Sequence, residues 1–78
     1  MFTTTLPSVP GRNYTIVGAI VGIYSVNRAM FDAVKEASNM GANGLIDIKV
    51  LPIHGSTDAC LLSATAVNFY EGELVQQL

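Results

Sequence analysis

The stretch from Tyr14 to Tyr24, YTIVGAIVGIY, carries no charge and is apolar on both of its alternating faces. Its β-branched and aromatic residues favour a strand, and a strand apolar on two sides has to be covered on two sides. Gly18 and Gly22 share a face with Ile16, Ile20 and Tyr24. Side chains missing at alternate positions admit a close neighbour or mark bulges. Whatever this chain folds into must therefore cover a long apolar strand.

A chain of 78 residues is one domain and has little of its own to offer as cover. Half of it is apolar and only 13% is charged. A folded monomer of this mass exposes roughly 4,600 Å², about 460 Å² for each charge, near the largest apolar patch that soluble monomers tolerate. The surface is therefore expected to be covered by copies of the chain itself. Other staples for a small core are lacking: Cys60 is the single cysteine, and Cys60 with His54 falls short of the four ligands of a structural zinc site. No cofactor and no metal are expected. The continuous apolar run from Ile16 to Ile23 is too short to span a bilayer, which takes about 20 residues, and it lacks the flanks of a secretory signal. A cytoplasmic location, away from membranes, is the expectation, and one free thiol agrees with it. A net charge of −2, with four scattered cations, gives no reason to expect nucleic acid as a partner.

Pro7, Pro10 and Gly11 make residues 1–13 an extended arm, with at most a short strand around Phe2 to Leu6. Asn27 reads as an N-cap and Gly41 as the stop of a helix between them. Met30, Ala33, Val34, Ala37 and Met40 form its apolar stripe, opposite Arg28, Asp32, Lys35, Glu36 and Asn39. From Leu45 to Leu51, alternation puts Ile46, Ile48 and Val50 on one face and Asp47 and Lys49 on the other, with Pro52 as terminator. The IHGSTD segment is a turn, and Ala59 to Tyr70 is a last strand, paired with the previous one as a hairpin. Residues 71–78 form a tail, either one short helical turn through Leu74, Val75 and Leu78 or a frayed end. The expected fold is α+β: a single domain over residues 1–78 with one helix on a mostly antiparallel sheet, in the order strand, helix, strand, strand.

Chemistry is sparse. His54, Ser56, Thr57 and Asp58 sit too close together on one loop to converge as nucleophile, base and orienter, so no enzyme is expected. GAIVG lies inside a strand and lacks the residues of a phosphate loop. The best set is Arg12, Arg28 and Asn27 with Tyr14 and Tyr24. Arginine grips phosphate or carboxylate in two-pronged fashion, a helix start favours an anion, and tyrosine can stack a ring. With His54, these are the candidate ligand-binding residues. The bland alternative for Arg28 is capping and an ion pair with Asp32.

Three passages, TIVGAIVGIYSVN, NMGANGLIDIKV and LLSATAVNFYE, resemble the YbjQ-like family, small bacterial proteins labelled putative heavy-metal-binding. The resemblance covers roughly Thr15 to Glu71. Two departures mark a shortened member, of the kind a phage or plasmid carries. Only Asn27 to Met40 separates the first strand from the Met-Gly-Ala turn, and Ala64-Thr65-Ala66 replaces the family's Gly-Thr-Ala. The resemblance implies a ring-like homo-oligomer, a pentamer in particular, and brings no catalytic residues. The resulting expectation is a homo-oligomeric, non-enzymatic binding protein that sequesters a small anionic or nucleotide-like ligand between subunits. The alternatives are a structural or protein-interaction ring subunit and a weak metal binder.

Overall fold

A computed structural model describes residues 1–70; the tail 71–78, with its expected helical turn, lies outside the described residues. Four strands, β1 (Phe2–Thr3), β2 (Asn13–Ser25), β3 (Gly44–Pro52) and β4 (Ala59–Tyr70), and one helix, α1 (Ala29–Asn39), follow one another as β1-β2-α1-β3-β4. The sheet order is β1-β3-β4-β2. β4 pairs antiparallel with β2 and with β3, and the short β1 adds a parallel pairing to β3, so the sheet is mixed. The expected arm is present: Thr4 N–H donates to Leu45 O at 3.0 Å and Asp47 N–H to Leu6 O at 2.7 Å, which lays residues 2–6 along β3.

Three expectations about packing are corrected. First, the buried stripe of α1 is Ala29, Ala33 and Ala37, while Met30 and Met40 stay 38% exposed. Small side chains let the helix axis approach the sheet closely, and the larger methionines then fit only at its flanks. Met40 still finds cover, because its Cε reaches to 2.5 Å from where a Cβ on Gly18 would stand. Second, the N-cap is Arg28, not Asn27, and no side chain caps the first turn. The Arg28 N–H donates to Ser25 O at 3.0 Å, and this turn places Asn27 before the helix. At the other end the reading holds: Gly41 has φ +88°, Ala42 N–H donates to Ala37 O, and Gly41 N–H to Ser38 O. That pair of bonds is a Schellman stop.

Third, the simple alternation of β3 breaks at Asp47. Its φ is +54° and the register with β4 slips between Ile46 and Lys49. The bulge turns Ile46 away from the helix, to pack with Val67 and Phe69, and leaves Leu45 and Ile48 in the helix-side core with Leu62, Ala64 and Ile20. Asp47 and Lys49 remain partners, 3.6 Å apart.

Length sets what the helix can cover. β2 runs roughly 40 Å at about 3.3 Å per residue, against roughly 16 Å for the 11 residues of α1. On the other face, the arm covers only the end around Phe69, where Val9 and Tyr14 pack. Further along, Val21 and Ile23 of β2 are 67% and 69% exposed, and Leu51 and Leu61 are exposed beside them. The strand that demanded cover on both faces is covered by the helix on one and by the arm only at the Tyr14 end of the other.

Candidate functional site

Helix α1 leaves part of the sheet's inner face open where it starts. The result is a cleft of about 600 Å³ between Met30 and Phe31 of the first helical turn and Val50 and Pro52 of β3. Cys60 of β4 lines it as a buried thiol, and Ser56 and Thr57 border it from the β3–β4 turn. Val26, Asn27, Ala29 and Ala59 complete the lining. Its walls are mainly apolar with a few polar groups, and its volume falls in the range of about 300–1,000 Å³ that small-molecule sites occupy.

The polar groups follow from local folding. Ser56 Oγ accepts from the N–H groups of Asp58 (3.3 Å) and Ala59 (3.2 Å), which fixes the turn and holds Ser56 and Thr57 at the rim. Because nothing caps α1, the amides of its first turn are left for water or a ligand, together with the positive end of the helix dipole. Arg28 stands at that start. Its guanidinium lies 4.8 Å from the Phe31 ring centre and 3.5 Å from Asp32 Oδ1, an exposed pair of the weakly stabilising kind.

The sequence-derived candidates separate into groups. Asn27 lines the cleft; Arg28 is not one of its lining residues, but its guanidinium lies over Phe31, which is. Tyr24 is on the helix side of β2 but is engaged within the subunit, donating its hydroxyl hydrogen to Glu36 Oε1 at 2.8 Å. Burial first, and then Glu36 as acceptor and charge, push its pKa up to about 12, with a further contribution from Asp32. Arg12 and Tyr14 are at the far end of β2, roughly 40 Å away. There the Arg12 guanidinium covers Phe69 at 4.3 Å from the ring centre and Phe2 at 5.8 Å, and Tyr14 meets Phe69 edge-on at 5.5 Å. Inside one subunit Arg12 and Arg28 do not converge. His54 is exposed in the β3–β4 turn and is not among the cleft residues.

Sequence reasoning missed Met30, Phe31, Val50 and Pro52 as site residues. Each reads as ordinary core or a strand stop, and only the short reach of α1 turns them into walls. Among the described residues, no three of His, Cys, Asp and Glu come together as a metal set, and no helix is long and apolar enough to cross a membrane.

The fold has a relative among solved structures. A protein of unknown function from Pediococcus pentosaceus ATCC 25745, assigned to the DUF74 family, superposes with a TM-score of 0.57 at 19% identity, covering 90% of this chain and 98% of that one. Similarity at that identity establishes a small α+β single-domain fold and nothing about activity. No family model matches the sequence, and no curated protein does. The YbjQ-like resemblance rests on the three sequence passages alone.

Proposed function

We propose that this chain is a non-enzymatic, cytoplasmic, homo-oligomeric binding subunit of YbjQ-like type that sequesters a small anionic, nucleotide-like ligand. The cleft at the start of α1 carries the reading. It offers apolar walls around Phe31 and Val50 for a flat ring, and an uncapped helix start beside Arg28 for a negative group. The exposed Arg28–Asp32 pair is weak enough for a phosphate to displace the aspartate. Several identical clefts per assembly suit capture rather than turnover, and among the described residues that line the cleft there is no histidine, aspartate or glutamate to serve as a base beside Cys60, Ser56 or Thr57.

Calorimetric titration with a panel of mono- and cyclic nucleotides tests this. Binding that Arg28→Ala weakens at least about tenfold, a loss of about 1.4 kcal/mol, and that Arg12→Ala leaves unchanged supports the cleft. Binding that survives Arg28→Ala intact removes it as the anion site.

A second reading, a structural or protein-interaction ring subunit without a ligand, is favoured by the bare apolar face of Val21, Ile23, Leu51 and Leu61. It expects no nucleotide to bind and a defined protein partner on capture.

A further inference from the structure

Two apolar patches stand back to back at the Pro52 end of the sheet. Register fixes their placement: Leu61 of β4 pairs with Ile23 of β2 on one side and with Leu51 of β3 on the other. These three form one row on the face opposite the helix, with Val21 next to Ile23 along β2, and all four are exposed. Cys60 and Pro52, the adjacent pair, point to the helix side, where the cleft opens. The cleft rim there carries Val26, Met30, Phe31 and Val50, which are exposed as well. Neither set contains a charged residue. A partner that covers one patch leaves the other bare.

We propose that the row of Ile23, Leu61 and Leu51 in one copy seats on the cleft rim of the next, head to tail, so that each cleft is roofed by a neighbour. A second copy is the occupant because it brings a counterpart for both patches: in a closed assembly every row and every rim is covered once. Mating of like faces would cover the rows and leave the rims bare. At roughly 200 Å² for a fully exposed residue of this size, the exposures come to about 400 Å² on each side. With the polar rim of Asn27, Ser56 and Thr57 the contact reaches about 1,000 Å², where specific interfaces begin. A closed ring holds each copy by two such contacts, and the second forms at high effective concentration. The joined faces are unlike, so no two-fold axis is needed and rings of odd number, five included, are allowed. A row lying across three strands roofs the cleft without filling it. This inference rests on the assembly and the cleft of the proposed function, and it names the surface that completes the site.

Native mass spectrometry of paired variants tests it on the full chain. Ile23→Lys spoils the row and Phe31→Lys the rim; the two positions are 69% and 60% exposed, so each subunit still folds, which circular dichroism verifies. The wild type is expected as an assembly of three or more copies, and each variant alone as a monomer. Mixed one to one, the intact rim of Ile23→Lys takes the intact row of Phe31→Lys, and a dimer with one copy of each replaces the monomers. Leu6→Lys, at an exposed apolar position on the arm outside both patches, leaves the wild-type assembly unchanged. A wild type that is a monomer or a dimer overturns the proposal, as do single variants that stay assembled. A mixture that stays monomeric, or that yields only dimers of Phe31→Lys through like faces, overturns it too. No readout uses a nucleotide: an assembly that behaves as expected and binds none ends the ligand reading alone, and nucleotide binding by a wild-type monomer ends this inference alone.

Discussion

The Tyr24 hydroxyl donates to Glu36 Oε1 across 2.8 Å, tying the end of β2 to the middle of α1. The bond exists only while the phenol keeps its proton. Tyr24 ionises near 10 in an unfolded chain and at about 12 in the fold, so the folded state favours the neutral form. Its stabilising effect is complete below pH 10 and fades as the pH rises toward 12. Thermal melts from pH 9 to 12 are expected to show a steeper loss of stability for the wild type than for Tyr24→Phe. Parallel curves would remove Tyr24 from the alkaline transition.

Two glycines differ in what stands over them. A Cβ on Gly44 would collide with the ring of Phe69, whose Cδ2 would lie 2.9 Å away, and Phe69 is itself buried and flanked by Phe2 and Tyr14. Gly44→Ala is expected to cost about 1–3 kcal/mol, as overpacking does. Over Gly18 the obstacle is the free end of Met40, a flexible side chain at the surface. Gly18→Ala should therefore cost under about 1 kcal/mol, in line with changes that leave the core intact. Urea denaturation of the two variants checks the ordering.

The bulge at Asp47 makes a third prediction. At φ +54°, glycine is unstrained and a β-branched residue is not. Asp47→Gly is expected to keep wild-type stability to within about 0.5 kcal/mol, while Asp47→Val loses about 1–3 kcal/mol. Equal losses in chemical denaturation would show that the Lys49 contact, not the backbone, fixes this residue.

Much of the fold was legible because hydrophobic period and punctuation are local signals. YTIVGAIVGIY gave a strand, Gly41 a helix stop, and Pro7 and Pro10 an arm. The Asp47 bulge was not legible: an aspartate tolerates the left-handed region without announcing it as glycine does, and alternation alone read Ile46 and Ile48 onto one face. Rotation of α1 onto its alanines was hidden for a related reason. Met30 and Met40 are more apolar than Ala29, and only close approach to the sheet reverses their rank. Of the candidate site, Asn27 and Arg28 were reached through helix-start chemistry. Arg12 and Tyr14 do not belong with them inside one subunit, because an extended strand from Asn13 to Ser25 holds its two ends roughly 40 Å apart. The cleft itself depends on the mismatch between an 11-residue helix and the strands beneath it, which no single residue records.

Arg12 has a role of its own to test. Stacked on Phe69 and Phe2, it clasps the arm to the sheet. Arg12→Ala is expected to cost about 0.5–1 kcal/mol in stability, the range of exposed cation–π contacts, and to speed amide exchange at Thr4 and Asp47, which hold the arm to β3. Unchanged exchange at those two amides would mean that the β1–β3 pairing holds the arm without the clasp.

The central claim is a self-assembling binding subunit, and native mass spectrometry of protein purified gently from its producing cells tests it most directly. The expected result is a multiple of 8.3 kDa carrying additional bound mass that Arg28→Ala releases. A bare 8.3 kDa monomer with no added mass would contradict it.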